Sequence, residues 1–196
     1  MWRELHRIST ALPSPDMPYP DFSQTYFELF DLPQGFTVDS TVLGERYRQL
    51  QRELHPDRFA GGTAQEQRLA VQYSGLVNQA YNTLKQPLSR ALYLLELAGL
   101  SAEDVAREQI DGGFLIEQME LREKLESLPG LVDRETVLEH LLTELAGDIK
   151  LHQGEFVVAY EAADLRAAAS ACVKMQYLGK LLVEAEQVES DLLEGH

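Results

Sequence analysis

Five histidines, one cysteine and the tripeptide His55-Pro56-Asp57 are where this chain could do chemistry. The histidines are His6, His55, His140, His152 and His196. No two of them are one helical turn apart, the spacing a zinc-binding helix needs. Cys172 is the single cysteine. One thiol makes neither a disulfide framework nor a four-cysteine zinc or iron–sulfur site. Its alanine-rich surroundings mark it as a small core residue, and scarce cysteine fits a reducing compartment. No glycine-rich phosphate loop follows a strand, and no nucleophile has an evident base partner. No enzyme activity, metal or cofactor is expected.

The tripeptide offers recognition rather than catalysis. Pro56 fixes the loop, and Asp57 presents a carboxylate suited to a charge-assisted hydrogen bond, best to an arginine. Taken alone, it reads better as a turn in which Pro56 ends a helix and Asp57 caps the backbone. Its neighbours change the balance. In the preceding segment Leu43, Tyr47, Leu50 and Leu54 form one apolar stripe. Arg48 and Arg52 then point outward, with Arg46 on the flank. A basic helical face beside an exposed aspartate suits an acidic protein partner.

The elements that position these residues are all helical, with no sustained period-two alternation. A short helix over residues 23–30 stops before Leu32-Pro33. A second begins at Asp39 or Ser40 and ends at His55-Pro56. After Gly61-Gly62 a third starts near Thr63 and aligns Leu69, Tyr73, Leu76, Ala80 and Leu84. Pro87 opens a fourth, which carries Ala91, Leu92 and Leu95 and is closed by Gly99. Residues 100–110 read as a polar connector. Asp111 caps a helix to about residue 128, broken by Pro129-Gly130. Helices over about 133–152 and 156–193 complete an antiparallel three-helix bundle. The expected organisation is an N-terminal module over residues 23–98, a linker over 99–110 and a C-terminal bundle over 111–196. Pro13, Pro15, Pro18 and Pro20 make residues 1–22 a disordered tail. Arg3, Arg7, Ser9 and Thr10 give it a slight transit-peptide character, but Glu4 lies among them and a secretory apolar core is missing.

Charge narrows the partners. The net charge of −15 over 196 residues is uneven. Residues 1–100 hold 9 basic and 11 acidic side chains, and residues 101–196 hold 8 and 21. So acidic a chain repels phosphate backbones, which excludes nucleic acid. No apolar run reaches the roughly 18 residues of a membrane span. The acidic half is a solubilising surface or a docking face for a basic partner.

The helix after Asp111 has two apolar faces. Phe114, Leu121, Leu125 and Leu128 share one, while Leu115, Ile116 and Met119 lie nearly opposite with Glu120 and Glu123. Such a helix is either buried on both sides or bears an exposed patch. Methionine adapts at binding surfaces, and flanking glutamates suit a rim.

A family resemblance joins these readings. Tyr26-Phe27-Glu28-Leu29-Phe30, Leu32-Pro33, the basic second helix, His55-Pro56-Asp57, Arg58-Phe59-Ala60, Asn78-Gln79-Ala80-Tyr81 and Leu84 resemble a J-domain over residues 23–85. Pro87-Leu88-Ser89-Arg90-Ala91-Leu92-Tyr93-Leu94-Leu95 and Phe114-Leu115-Ile116-Glu117-Gln118-Met119-Glu120-Leu121-Arg122-Glu123 are similar to the HscB family of iron–sulfur co-chaperones, extending the match to residues 23–193. The resemblance implies an L-shaped all-α protein, a J-domain hairpin followed by a three-helix bundle. It implies that His55, Pro56 and Asp57 trigger the ATPase of the DnaK-type chaperone HscA, with Arg46, Arg48 and Arg52 as the electrostatic face. Leu115, Ile116, Met119, Glu120 and Glu123, with Tyr177 on the last helix, would hold the scaffold protein IscU and deliver it, aiding cluster transfer. Where the family commonly has one more acidic residue this chain has Ser127, which weakens that edge or moves it to Glu126. A monomer without cofactors is implied. Some mitochondrial relatives carry an N-terminal cysteine-rich domain, so its absence here points to a bacterial cytoplasm rather than a mitochondrial matrix. A general J-protein feeding unfolded clients is the alternative, although it usually brings a glycine-rich region or a cysteine-rich zinc domain. A helical assembly protein with an incidental tripeptide is a further one.

Overall fold

The structure is a computed structural model that describes residues 23–194. The tail expected over residues 1–22 lies outside them. Regular structure among the described residues is helical: α1 Tyr26–Leu29, α2 Ser40–Glu53, α3 Ala64–Lys85, α4 Pro87–Leu97, α5 Ala102–Ala106, α6 Gly112–Ser127, α7 Arg134–Glu161 and α8 Leu165–Glu194. None of these helices is long and apolar enough to cross a membrane. The described residues divide into two compact units, 23–34 with 38–82, and 35–37 with 83–194.

In the first unit, local signals set each helix end. Thr25 and Glu28 form a reciprocal capping box that starts α1, and this single turn buries Phe27 and Phe30. Asp39 starts α2 by accepting from the amides of Thr41 and Val42 at 2.8 and 3.2 Å. The helix stops at Leu54, because the residue before Pro56 is driven out of helical geometry. Thr63 and Glu66 repeat the box at the head of α3. A hairpin of α2 and α3 is pinned by Tyr47, which stacks on Tyr81 at 4.0 Å and donates to Asn78 Oδ1 at 2.8 Å. The buried line of α3 is Ala70, Val77, Ala80 and Leu84, rotated from the expected stripe. Leu69, Tyr73 and Leu76 are half-buried. Small and medium side chains thus take the fully covered positions, and the amphipathic Tyr73 is left half-buried.

In the second unit, α4 buries Ala91, Leu94 and Leu95 completely and packs against α8. Its packing therefore joins it to the bundle rather than to the segment that precedes it. Within this unit Arg90 ties α4 to the end of α3. Its buried guanidinium donates to the carbonyls of Leu84 at 2.7 Å, Lys85 at 3.4 Å, and Phe36. These carbonyls include the orphan acceptors at the C-terminal end of α3. Phe36 lies under the guanidinium and against Phe156, at 5.3 and 5.2 Å, which accounts for residues 35–37 belonging to this unit. The connector is also more than a linker. Ser101 and Asp104 form a capping box that starts α5, and its Val105 is buried toward α8.

The last three helices run up, down and up. Asp111 pairs with Lys174 at 3.3 Å, Phe114 meets Tyr177 with ring centroids 6.5 Å apart, and Arg122 pairs with Glu184 at 3.4 Å. The constant offset of 62–63 residues makes α6 and α8 parallel. Lys124 with Glu144 at 2.9 Å and Phe114 with His152 at 5.7 Å place α7 antiparallel to α6. The break between α7 and α8 corrects the expected boundary. α7 does not end at 152 but runs through Gly154 to Glu161. Buried His152 and Phe156 on either side of Gly154 supply packing that outweighs a glycine's cost of about 1 kcal/mol. The turn comes at Ala163, which has a φ of 58°, and Asp164 then accepts from the amide of Ala167 at 3.0 Å.

Candidate functional site

Two surfaces carry the residues singled out by sequence, one on each unit. On the first unit His55-Pro56-Asp57 leads out of α2 into a 3₁₀ turn, Pro56–Phe59. His55 Nδ1 accepts weakly from the Asp57 amide at 3.4 Å, and the amide of Arg58 donates to the His55 carbonyl at 2.9 Å. Backbone bonds therefore hold the turn, and the Asp57 carboxylate is left over. Its side chain is 91% exposed, with His55 Nδ1 nearby at 3.6 Å. An exposed, uncommitted carboxylate at the tip of a braced turn can accept a hydrogen bond from a partner without prior rearrangement.

The three arginines of α2 are not equivalent. Arg46 is tied to Asp31 at 3.0 Å. Arg48 and Arg52 are exposed, and no carboxylate among the described residues pairs with either. Arg58 joins them. It is exposed, and its guanidinium donates to the Arg52 carbonyl at 3.4 Å. By sequence Arg58 reads only as part of the loop, although its position directly after Asp57 is the available signal.

On the second unit, α6 separates its two apolar faces. Phe114, Leu121 and Leu125 are buried in a core with Leu128, Leu138, Leu141, Leu145, Leu178, Leu181 and Ala185. Leu115, Ile116 and Met119 are 43, 60 and 63% exposed. Glu120 and Glu123 are exposed beside them, as are Glu117, Glu126 and Ser127. Tyr177 is 46% exposed on α8. Through its edge contact with Phe114 and the parallel register of α6 and α8, it stands level with the start of this patch.

Electrostatics brace the head of α6. Asp111 accepts from the Phe114 amide at 2.8 Å and pairs with Lys174. The amide first, and then Lys174, holds its carboxyl below the usual aspartate range. Lys174 also lies over the Phe114 ring at 5.5 Å. Beneath the patch, Phe114 meets His152, whose Nδ1 is 2.7 Å from Glu155 Oε2. The patch itself holds no base, nucleophile or metal-ligand set. What it offers is apolar area with an acidic rim.

Known proteins similar to this chain cover residues of both units. Residues 110–186 match the family model described as the HSCB C-terminal oligomerisation domain. The co-chaperone protein HscB homolog of Shewanella loihica is 42% identical over 170 residues, covering 85% of this chain and 98% of that one. Chaperone HscB from Vibrio cholerae superposes with a TM-score of 0.80 at 38% identity, covering 86% of this chain and 99% of that one. Human co-chaperone protein HscB superposes with a TM-score of 0.81 at 32% identity, covering 94% and 93%.

Proposed function

Because the chain belongs to the HscB family of J-type co-chaperones of iron–sulfur cluster assembly, we propose that it brings a cluster scaffold of the IscU kind to a DnaK-type chaperone of the HscA kind and stimulates that chaperone's ATPase. The observation that carries the reading is the divided helix α6, with one apolar face in the core and the other, Leu115, Ile116 and Met119, open to solvent beside Tyr177.

The division of labour follows from the two surfaces. Arg48, Arg52 and Arg58 steer the first unit onto an acidic face of the chaperone, where electrostatic complementarity raises the association rate. Arg46 takes a smaller part, because Asp31 already neutralises it. The turn at Pro56 then presents Asp57 to a cationic donor on the chaperone. On the second unit the scaffold covers the α6 patch. Buried apolar area supplies the affinity, and Glu120 and Glu123 select a basic surround. Ser127 leaves the lower edge of that rim uncharged, so Glu126 is the carboxylate available there. Linking the two surfaces through one chain converts the second encounter into a local one at high effective concentration.

The protein contributes binding and no covalent step, and it acts as a monomer in a bacterial cytoplasm. The bacterial relatives support that setting. The family model's own description speaks of oligomerisation, so sedimentation of the purified chain is the direct check on the monomer. The functional test is the ATPase rate of HscA with this protein, with IscU, and with both. Stimulation by the pair well above the sum of the separate effects is expected. Equal stimulation by denatured clients in place of IscU would identify a general J-protein instead.

A further inference from the structure

Round α8 from Tyr177, at steps of three, come Lys180 and Val183. At 3.6 residues per turn each step sets the side chain back by roughly 60°. The three therefore lead from the side facing α6 toward the side where α4 packs. Lys180 is exposed, and its ammonium lies 5.9 Å from the Tyr177 ring centroid. Nearby cations are already engaged, Lys174 by Asp111 and Arg122 by Glu184. No carboxylate among the described residues pairs with Lys180. Val183 is 63% exposed. With Leu88 of α4 and Gln176, Gly179, Lys180 and Glu184, it lines an open groove of about 570 Å³. A Cβ added at Gly179 would meet nothing within 4 Å. The chain's own packing does not require glycine there, although glycine weakens a helix interior.

We propose that the scaffold contact continues past Tyr177 round α8 into this groove, where Lys180 pairs with a carboxylate of the scaffold and Val183 and Leu88 hold an adjoining apolar side chain. The proposal rests on the reading of the α6 patch as the scaffold surface. Two observations commit the groove to that same occupant. Lys180 belongs to both places, covering the Tyr177 ring and forming the groove wall. Charge also changes sign across the surface, from exposed Glu117, Glu120 and Glu123 on α6 to an unpaired cation on α8. A bound segment must then carry its basic groups at the α6 edge and its acidic group at the α8 edge. The alternation fixes the direction in which the segment lies, because the reversed pose sets like charges together.

The test is calorimetric titration of purified IscU into the full chain and its variants. Lys180→Glu reverses the cation, Val183→Asp charges the wall, and Gly179→Leu fills the groove while improving helix propensity. Circular dichroism and the melting temperature report whether each variant is folded. Losses of about ten-fold or more are expected for K180E and V183D with unchanged melting, and of about five-fold for G179L with melting unchanged or raised. Leu115→Ala/Ile116→Ala/Met119→Ala is run in parallel. Wild-type affinity in all three groove variants, with binding lost in the triple variant, would overturn the groove and leave the α6 reading standing. Wild-type affinity in the triple variant would overturn both.

Discussion

Truncating Leu115, Ile116 and Met119 together to alanine separates a binding patch from a core. Fully burying a side chain of this size stabilises by about 1.5–3 kcal/mol. These three residues keep 43, 60 and 63% of their surface in water, and only that part remains to be covered by a partner. The exposed fractions correspond to about 2–4 kcal/mol for the three once the retained Cβ atoms are allowed for. At 1.4 kcal/mol per decade this is a loss of roughly 30- to 700-fold in scaffold affinity. Folding should hardly notice. Surface substitutions usually fall within about ±0.5 kcal/mol, and alanine is a better helix former than isoleucine. Titration calorimetry with IscU, beside a thermal melt, measures both quantities. Unchanged affinity with a native spectrum would remove the patch from the binding account. A collapse in melting temperature would show that these side chains are core after all.

Three further substitutions probe other parts of the chain. Asp57→Asn removes a charge that is 91% exposed, so urea unfolding should shift by no more than about 0.5 kcal/mol while HscA stimulation falls to background; stimulation at the wild-type level would unseat Asp57. Arg90→Met keeps the stem but takes the donor away from the carbonyls of Phe36, Leu84 and Lys85, and urea denaturation should show a cost of about 3 kcal/mol; a cost near zero would mean that those carbonyls find water instead. Asp148 has its carboxyl pushed above the usual aspartate range, by burial first and Glu144 second. Its folded form therefore binds protons more readily than its unfolded form, and the ionised group lowers stability as pH rises through that range. Asp148→Asn should raise the melting temperature at pH 7, with the gain shrinking as pH falls and the wild-type carboxyl protonates. A gain that is constant with pH would refute the assignment.

Much of the architecture was legible because helix ends are local events. Asp39, the residue before Pro56, Pro87 and Asp111 each act within one turn of their own position, and the helices begin or stop there. The misplaced boundary near 152 shows the limit. Gly154 resembles a break, but the burial of His152 and Phe156 by distant segments carries the helix on, and no local signal encodes that. Tertiary packing also decided α4 and α5. The Ser101–Asp104 capping box starts five residues of helix in a stretch that reads as a polar connector, and the turn matters only because Val105 finds α8. At the candidate sites, the two apolar faces of α6 are legible from spacing, but whether the second is covered depends on where other helices pack, and the engagement of Arg46 by Asp31 depends on the backbone path between α1 and α2, including a positive φ of 51° at Asp31.

The bare face of α6 is not explained by a shortage of cover. Leu115, Ile116 and Met119 point roughly 100–200° away from Phe114 on an ideal helix, beyond the sector that two bundle neighbours can reach. Two more helices were available in the same unit. Both α4 and α5 pack against α8 instead, and the long α8 is thereby enclosed through Ala168, Ala169, Cys172 and Met175. Burial there is deep enough to push the Cys172 thiol up to about 12. The fold thus covers the small-residue stretch of α8 around Ala168, Ala169 and Cys172 while leaving three large apolar side chains of α6 in water, the reverse of what hydrophobic burial alone would favour. A monomer that kept such a patch without a use would carry an association hazard. The exposed glutamates beside it oppose self-association through like-charge repulsion and still admit a basic partner. A bare patch guarded by one sign of charge is what a surface reserved for a particular protein requires, and it is on this ground that we propose the α6 face as a binding site rather than an unfinished core.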